Sequence, residues 1–398
     1  MSKMSAADVA LQGLRVLMRV DFNVPVKDGK VANDKRIRAA MPTIRYIIEQ
    51  GGKLILMSHL GRPNGQRRTE MSLEPCGRVL SDYLAQQVFF IQDCIGQEVQ
   101  DRVQQLEAGQ VLLLENLRFH TAETQNDAGF AKQLAALGQV FVNDAFGTAH
   151  RAHASTEGLT HYIQPCVAGF LMAKELEYLG RALEKPKRPF VAILGGAKIS
   201  GKIDVIQHLL LKVDRLLIGG GMAFTFLKAK GLPVGRSLLE EDKLELAKML
   251  LEKAGDKIVL PVDCIVSDSF DPSAGTVGTL HTVAVDAIEE RMIGLDIGRS
   301  SLGRFQEALA GAQTVVWNGP MGVFEIEATA RGTFEMARLL AQMTDQGAVS
   351  VIGGGDSAAA AEKAGVTDRI SHISTGGGAS LEFLEGKTLP GVAALTDK

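Results

Sequence analysis

The chain has 398 residues, 46% of them hydrophobic, which is enough apolar side chain to bury the cores of two domains. A formal net charge of −3 excludes a general nucleic-acid or membrane-surface binder, so any anionic partner must be held by a local cluster of arginine and lysine. The four cysteines are scattered without metal-ligand spacing, the N-terminus lacks a signal-like apolar stretch and no run reaches membrane-span length, which sets the expectation of a cytoplasmic protein with reduced thiols and no membrane partner.

Short apolar runs alternate with longer amphipathic ones, the pattern of an α/β fold with parallel sheets. In the first half, strands are expected at Arg15–Val20, Lys53–Ser58, Val88–Ile91, Val111–Leu114 and Val140–Asn143. Between the first two, Ile37, Ala40, Met41, Ile44, Ile47 and Ile48 recur at helical spacing and Gly51 and Gly52 supply a stop. That crossover helix carries Arg36 and Arg38 near its start.

In open α/β sheets ligands bind beyond the carboxyl ends of the strands. Asp21, Phe22 and Asn23 follow the first strand, and His59, Leu60, Gly61 and Arg62 the second. Arg118 follows the fourth, and His150, Arg151 and His153 the fifth. Asp21 and Asn23 are equally what a simple turn uses, a lone arginine is commonly a solvated charge, and a lone histidine is more often structural than catalytic. Arg36, Arg62, Arg118 and Arg151 on one rim with three histidines are instead expected to seat a small, multiply charged anion, because guanidinium forks match phosphate and carboxylate geometry. No aromatics interleave with these basic residues, which disfavours single-stranded nucleic acid.

The segment AKELEYLGRALEKPKRP reads as an exposed helix ended by Pro186 and Pro189, and a new strand, PFVAIL, begins at once, which marks a domain boundary. Further strands are expected near Val191, Leu217, Val259, Val315, Val351 and Ile373. The run from Gly196 to Ile203 nearly satisfies the P-loop pattern, but Ile203 stands where Ser or Thr should meet a metal. What remains is a glycine turn offering Lys198 and Lys202 to a phosphate, against the plainer reading of two surface lysines. Triple glycines at 219–221, 353–355 and 376–378 each precede a segment able to start a helix, where bare amides and the helix dipole suit an anion.

After Gly353, Gly354 and Gly355 come Asp356 and Ser357, and Asp356 can both cap a helix and hold Mg2+ through a nucleotide phosphate. Glu325 ends the loop WNGPMGVFE and could accept from ribose hydroxyls, while Gly294 to Gly298 with the first triple glycine could leave an apolar slot for a purine. The uncharged run at Gly376, Gly377 and Gly378 suits a transferring phosphoryl group, whose three oxygens share charge in the transition state.

RVDFNVP, SHLGRP, ENLRF, DAFGTAHRAHAS, AGFLMAKEL, LGGAKISGKI, WNGPMGVFE, GGGDS and STGGGAS together resemble the 3-phosphoglycerate kinase family, in its order and across the whole chain. The resemblance implies two Rossmann-like domains joined by a hinge helix with a cleft between them: 1–172 binding phosphoglycerate, 173–189 as interdomain helix, 190–374 binding nucleotide, and 375–398 returning to the first domain. Asp21, Phe22, Asn23, Arg36, His59 to Arg62, Arg118 and Arg151 match the positions that contact 3-phosphoglycerate or 1,3-bisphosphoglycerate. Lys198, Lys202, Gly294, Glu325 and Gly353 to Ser357 match those for ADP or ATP, with Asp356 meeting Mg2+. Arg299 stands where proline is expected after GLDIG, and Ser357 where threonine is common. The family expectation is a monomer.

The implied reaction is reversible phosphoryl transfer between 1,3-bisphosphoglycerate and ADP. A carboxylate acceptor is already ionised at neutral pH, so no general base is required and catalysis rests on alignment and charge stabilisation. Arg36 is expected on the substrate side of the migrating group, Lys202 on the nucleotide side and Gly376 and Gly377 at its equatorial oxygens, with hinge closure bringing the substrates in line. The alternatives are an NAD-dependent dehydrogenase, which would need a G-x-G-x-x-G turn that none of the triple glycines supplies, and a non-catalytic nucleotide-binding protein, which would have no reason to keep the arginine rim.

Overall fold

Runs of aliphatic residues buried on both faces make the central strands: in Arg15–Arg19, Val16, Leu17 and Met18 are fully inaccessible, as are all five residues of Phe190–Leu194 to within 1%. The structure, a computed structural model, describes residues 2–398. The chain forms two units, one running through Glu177 and joined by Thr388–Lys398, the other Tyr178–Lys387. The helix Phe170–Glu184 carries the chain from the first into the second.

The first unit is built on a six-stranded parallel sheet in the order Val88–Ile91, Val111–Leu114, Lys53–Met57, Arg15–Arg19, Val140–Asn143, Cys166–Ala168. Met18 pairs with Leu56 on one side and Val142 on the other. The chain winds in opposite directions from this central strand, so a crevice opens at its carboxyl end. The crossover helix spans Lys35–Glu49 and buries Ile37, Ala40, Met41, Ile44 and Ile47 against the sheet. It ends where Gly51 takes a positive φ of 71°.

The second unit carries its own six-stranded parallel sheet, in the order Ile258–Val259, Arg215–Ile218, Phe190–Leu194, Thr314–Asn318, Val349–Gly353, His372–Ile373. This is the doubly wound order with its switch between Phe190–Leu194 and Thr314–Asn318. A three-stranded antiparallel sheet, Leu280–Ala284, Asp263–Ser267 and Ile293–Ile297, is added beside it. The GLDIG segment, expected to border an apolar slot for a purine, is largely strand, its Gly294 paired opposite Val266.

The returning segment is shorter than the expected 375–398. Gly377–Leu384 is a helix of the second unit, and Gly386 packs so closely on the His208 ring that a Cβ there would meet it at 2.4 Å. The chain rejoins the first unit from Thr388, where Gly391 N donates to Ala149 O at 2.9 Å and Thr396 N to Cys166 O at 2.8 Å. Among the described residues no helix is long and apolar enough to cross a membrane.

Candidate functional site

In the first unit the residues beyond the carboxyl ends of the strands form one hydrogen-bonded web. Arg36 Nη1 is 2.7 Å from Asp21 Oδ2. Asn23 Oδ1 accepts from Gly61 N at 2.9 Å, and Gly61 O accepts from Arg118 Nη1 at 2.8 Å. Asn116 locks two loops together: its Oδ1 accepts from Leu60 N and Arg118 N, and its Nδ2 donates to Leu60 O and Met71 O. Asp21, Asn23, Arg36, Gly61 and Arg118 are thus brought together. Arg62 and Arg151 are exposed, and Arg151 Nε donates to His150 Nε2 at 3.1 Å. Phe22 and Leu60 have core side chains, so only their backbones can face a ligand.

Beneath the web lies a buried ion cluster that the sequence reading did not foresee. Arg19 is fully buried, with Nε donating to Ser155 Oγ at 2.8 Å and Nη2 3.2 Å from His59 Nδ1. Its counter-charge, Glu123, is 3.9 Å away and accepts from Ser155 Oγ and N. A buried cation needs such pairing because desolvation costs several kcal/mol. Burial and the nearby Arg19, Arg118 and Arg36 charges push the His59 pKa well below its ordinary value, and burial with Arg19 and Arg118 lowers that of His153 to about 4. Both imidazoles are neutral at pH 7, and His59, accepting at Nδ1 from Arg19, carries its proton on Nε2. Ser155 lies within the DAFGTAHRAHAS run, whereas nothing in the sequence around Glu123 marks it.

Burial, then repulsion from Arg19 and Arg151, lowers the Arg118 pKa to about 10. Its buried Nε has no hydrogen-bond partner. Like charges crowded around an unsatisfied guanidinium edge are what an incoming anion relieves.

In the second unit the glycine turns meet around the switch point. Lys202 Nζ donates to Asn318 O at 2.8 Å and to Asn318 Oδ1 at 2.5 Å, and burial lowers its pKa to about 8. Gly319 takes φ +98° within 2.6 Å of that ammonium, measured from where its Cβ would sit, and its amide donates to Ser357 Oγ at 2.6 Å. Serine at 357 therefore supplies the hydroxyl this turn uses. A Cβ on Gly377 would lie 3.8 Å from Gly355 N, so the turns 353–355 and 376–378 adjoin each other. Asp356 is exposed in the first turn of the helix Gly355–Lys363, and its charge is felt at Lys202. Lys198 is exposed.

The first triple glycine faces an adjoining cavity. Its Gly220 and Gly221, with Gly294, Phe224, Leu238 and Met321, line this cavity of about 380 Å3, whose wall also includes the exposed carboxylates of Glu325 and Asp356. The Phe224 ring fills the space over Gly294, where a Cβ would come within 2.0 Å of it. Phe224 and Met321 were not singled out from sequence. Apolar residues at helical and loop positions look like ordinary core until the fold places them on a cavity wall. Arg299, the departure from the expected proline, is the first residue of the helix Arg299–Leu309, and the Asp263 carboxylate accepts from Ser300 N and Ser301 N to hold that helix start.

A family model described as phosphoglycerate kinase matches residues 6–387. The chain is 58% identical to the phosphoglycerate kinase of Chloroherpeton thalassium over 400 residues and 57% identical to that of Chlorobaculum tepidum over 401, covering the whole of each. Among solved structures it is similar to phosphoglycerate kinase from Coxiella burnetii, with a TM-score of 0.90 at 43% identity and 98% of both chains covered. The enzyme from Pyrococcus horikoshii gives 0.83 at 36%, with the same coverage.

Proposed function

The chain belongs to the phosphoglycerate kinase family and is a phosphotransferase, and we propose that it moves a phosphoryl group between 1,3-bisphosphoglycerate held by its first unit and ADP held by its second. The observation that carries the assignment of sites is Arg118. A partly buried guanidinium depressed by its cationic neighbours, with Nε unpaired, suits the carboxylate or phosphate of a glycerate. Arg36, steered by Asp21, with Asn23, His59, Gly61, Arg62 and Arg151, completes that seat.

In the second unit the apolar cavity beside Phe224 and Gly294 takes the base, and Glu325 the ribose. Lys198, Lys202 and the turn Gly353 to Ser357 take the phosphates. The donor set fits a hard cation: Asp356 offers an exposed carboxylate at the edge of the phosphate turn, and Mg2+ bound there with the nucleotide supplies charge neutralisation. Lys202 and the Gly376 and Gly377 amides stabilise the oxygens of the migrating group. No proton has to be removed from a carboxylate acceptor at pH 7.

In-line transfer needs reacting atoms about 3–3.5 Å apart, so we assign the two units a closing motion about the connecting helix, in a cytoplasmic monomer. Small-angle scattering should show the protein compacting only when 3-phosphoglycerate and nucleotide are both present; an unchanged radius of gyration counts against it. For the site itself, Arg36→Ala should lower turnover by about 10²-fold or more while nucleotide affinity stays near normal. An Arg36→Ala enzyme with full turnover removes Arg36 from the reaction.

A further inference from the structure

Outside both sites, the first unit brings together one soft and two harder ligand atoms. Single ligand atoms of Asp93, Cys94 and His120 all lie within 4.8 Å of one another, a grouping found nowhere else among the described residues. They come from two separate loops: Asp93 and Cys94 follow the strand Val88–Ile91, and His120 follows the turn Leu117–Phe119. His120 Nε2 is 2.7 Å from Asp93 Oδ1, which also accepts from Cys94 N at 2.7 Å. Asp93 O accepts from Glu115 N, and Arg67 Nη2 holds the other carboxylate oxygen at 3.2 Å, so the donor loop is fixed on both sides.

We propose that Asp93, Cys94 and His120 form a binding site for Zn2+, with water as the fourth ligand. The donor set decides the class of ion. Thiolate, imidazole and carboxylate together suit zinc, whereas Mg2+ and Ca2+ call for oxygen alone. Placement suits it too: Cys94 is 1% exposed and supplies sulfur from inside, while Asp93 and His120 are partly exposed and leave a path for the ion and a water. Asp93, Glu123 and Glu115 add negative potential at the sulfur, which favours a bound cation. On binding, the ion replaces the hydrogen bond between His120 Nε2 and Asp93 Oδ1, the neutral imidazole carrying its one proton on Nδ1, and the Cys94 thiol releases its proton to solvent. His120 is two residues from Arg118, so an ion here ties the loop after Val88–Ile91 to the segment carrying that arginine.

The test uses the full chain, stripped with chelator and free of nucleotide, with Co2+ and Zn2+ as probes. One equivalent of Co2+ should give a sulfur-to-cobalt charge-transfer band that Cys94→Ala abolishes, and His120→Ala should weaken binding about tenfold or more. X-ray absorption on the zinc-loaded wild type should show one sulfur near ~2.3 Å beside lighter ligands near ~2.0–2.2 Å. A shell without sulfur, or a cobalt band that survives Cys94→Ala, overturns the site. A Cys94→Ala chain that fails to fold leaves the wild-type absorption measurement to decide.

Discussion

The Lys202 ammonium donates to both oxygens of Asn318, the side-chain Oδ1 at 2.5 Å and the backbone carbonyl at 2.8 Å. Burial there brings its pKa from 10.5 to about 8, with Asp356 acting in the opposite sense. Between these values the unfolded chain binds the proton and the folded chain does not. Stability contributed by residue 202 therefore rises with pH across about 8 to 10.5, by at most ~3 kcal/mol, and the penalty is fully in force below 8. The difference in unfolding free energy between wild type and Lys202→Met, followed by denaturant titration, should climb through that window. Nucleotide kcat/KM should fall over the same range as the ammonium is lost. A difference that stays flat with pH contradicts the shift.

Asp296 titrates with the opposite sign. It sits on the wall of the apolar cavity, accepts from Gly332 N at 2.7 Å and Ile297 N at 2.9 Å, and burial raises its pKa to about 7. The folded chain holds a proton here that the unfolded chain loses near 3.8. Wild-type stability should consequently drop as pH rises from about 4 to 7, and Asp296→Asn should remove that slope, gaining on the order of 2 kcal/mol or more at pH 8 relative to pH 4. Parallel unfolding curves for the two proteins across this range would show that the carboxyl ionises normally.

Much of this architecture is written in local patterns. The strands at Arg15, Lys53, Val88, Val111 and Val140 follow from aliphatic runs, and the helix Lys35–Glu49 from its spacing and glycine stop, because a strand buried on both faces and a one-sided helix leave different periodicities. Cys166–Ala168 is too short to leave one. Ile293–Ile297 is not among the expected strands because Gly294, whose missing side chain makes room for the Phe224 ring, interrupts its apolar run. In the first unit, the meeting of Asp21, Asn23, Arg36, Gly61 and Arg118 was legible because their segments follow successive strands of one parallel sheet or open the crossover helix between them. The Arg19–Glu123 pairing was not, since it joins residues 104 apart whose only mark is burial, which sequence does not display.

Two glycines of the nucleotide unit should separate backbone need from ligand access. Gly319 has φ +98°, and a Cβ would sit 2.4 Å from Gly195 O and 2.6 Å from the Lys202 ammonium. Gly319→Ala should destabilise the protein by about 1–3 kcal/mol and disturb Lys202. Gly377 is exposed, and its nearest neighbour to a Cβ is at 3.8 Å. Gly377→Ala should unfold within about 0.5 kcal/mol of wild type yet lose turnover, if its amide faces the transferring phosphoryl group. Thermal unfolding beside a coupled assay distinguishes them; a Gly377→Ala enzyme at full speed takes that amide out of the reaction.

The Arg19 cluster makes the sharpest energetic demand. Arg19 cannot shed its proton readily, even though burial lowers its pKa, so its charge must be met inside the protein. Glu123 meets it at 3.9 Å, with Ser155 donating to the carboxylate and accepting from Arg19 Nε. Glu123→Gln keeps the volume and removes the charge, and should destabilise by about 3 kcal/mol or more because it strands a buried cation. Ser155→Ala removes only the bridging hydroxyl and should cost about 1–3 kcal/mol. Joining the two changes should be less than additive, since both break one network. Since Arg19 also orients the His59 ring at 3.2 Å, Glu123→Gln, by letting the unpaired guanidinium shift, should also weaken 3-phosphoglycerate binding while leaving nucleotide affinity intact. Calorimetric titration with each ligand reads that split, and equal losses for both would mean that the substitution merely loosens the fold.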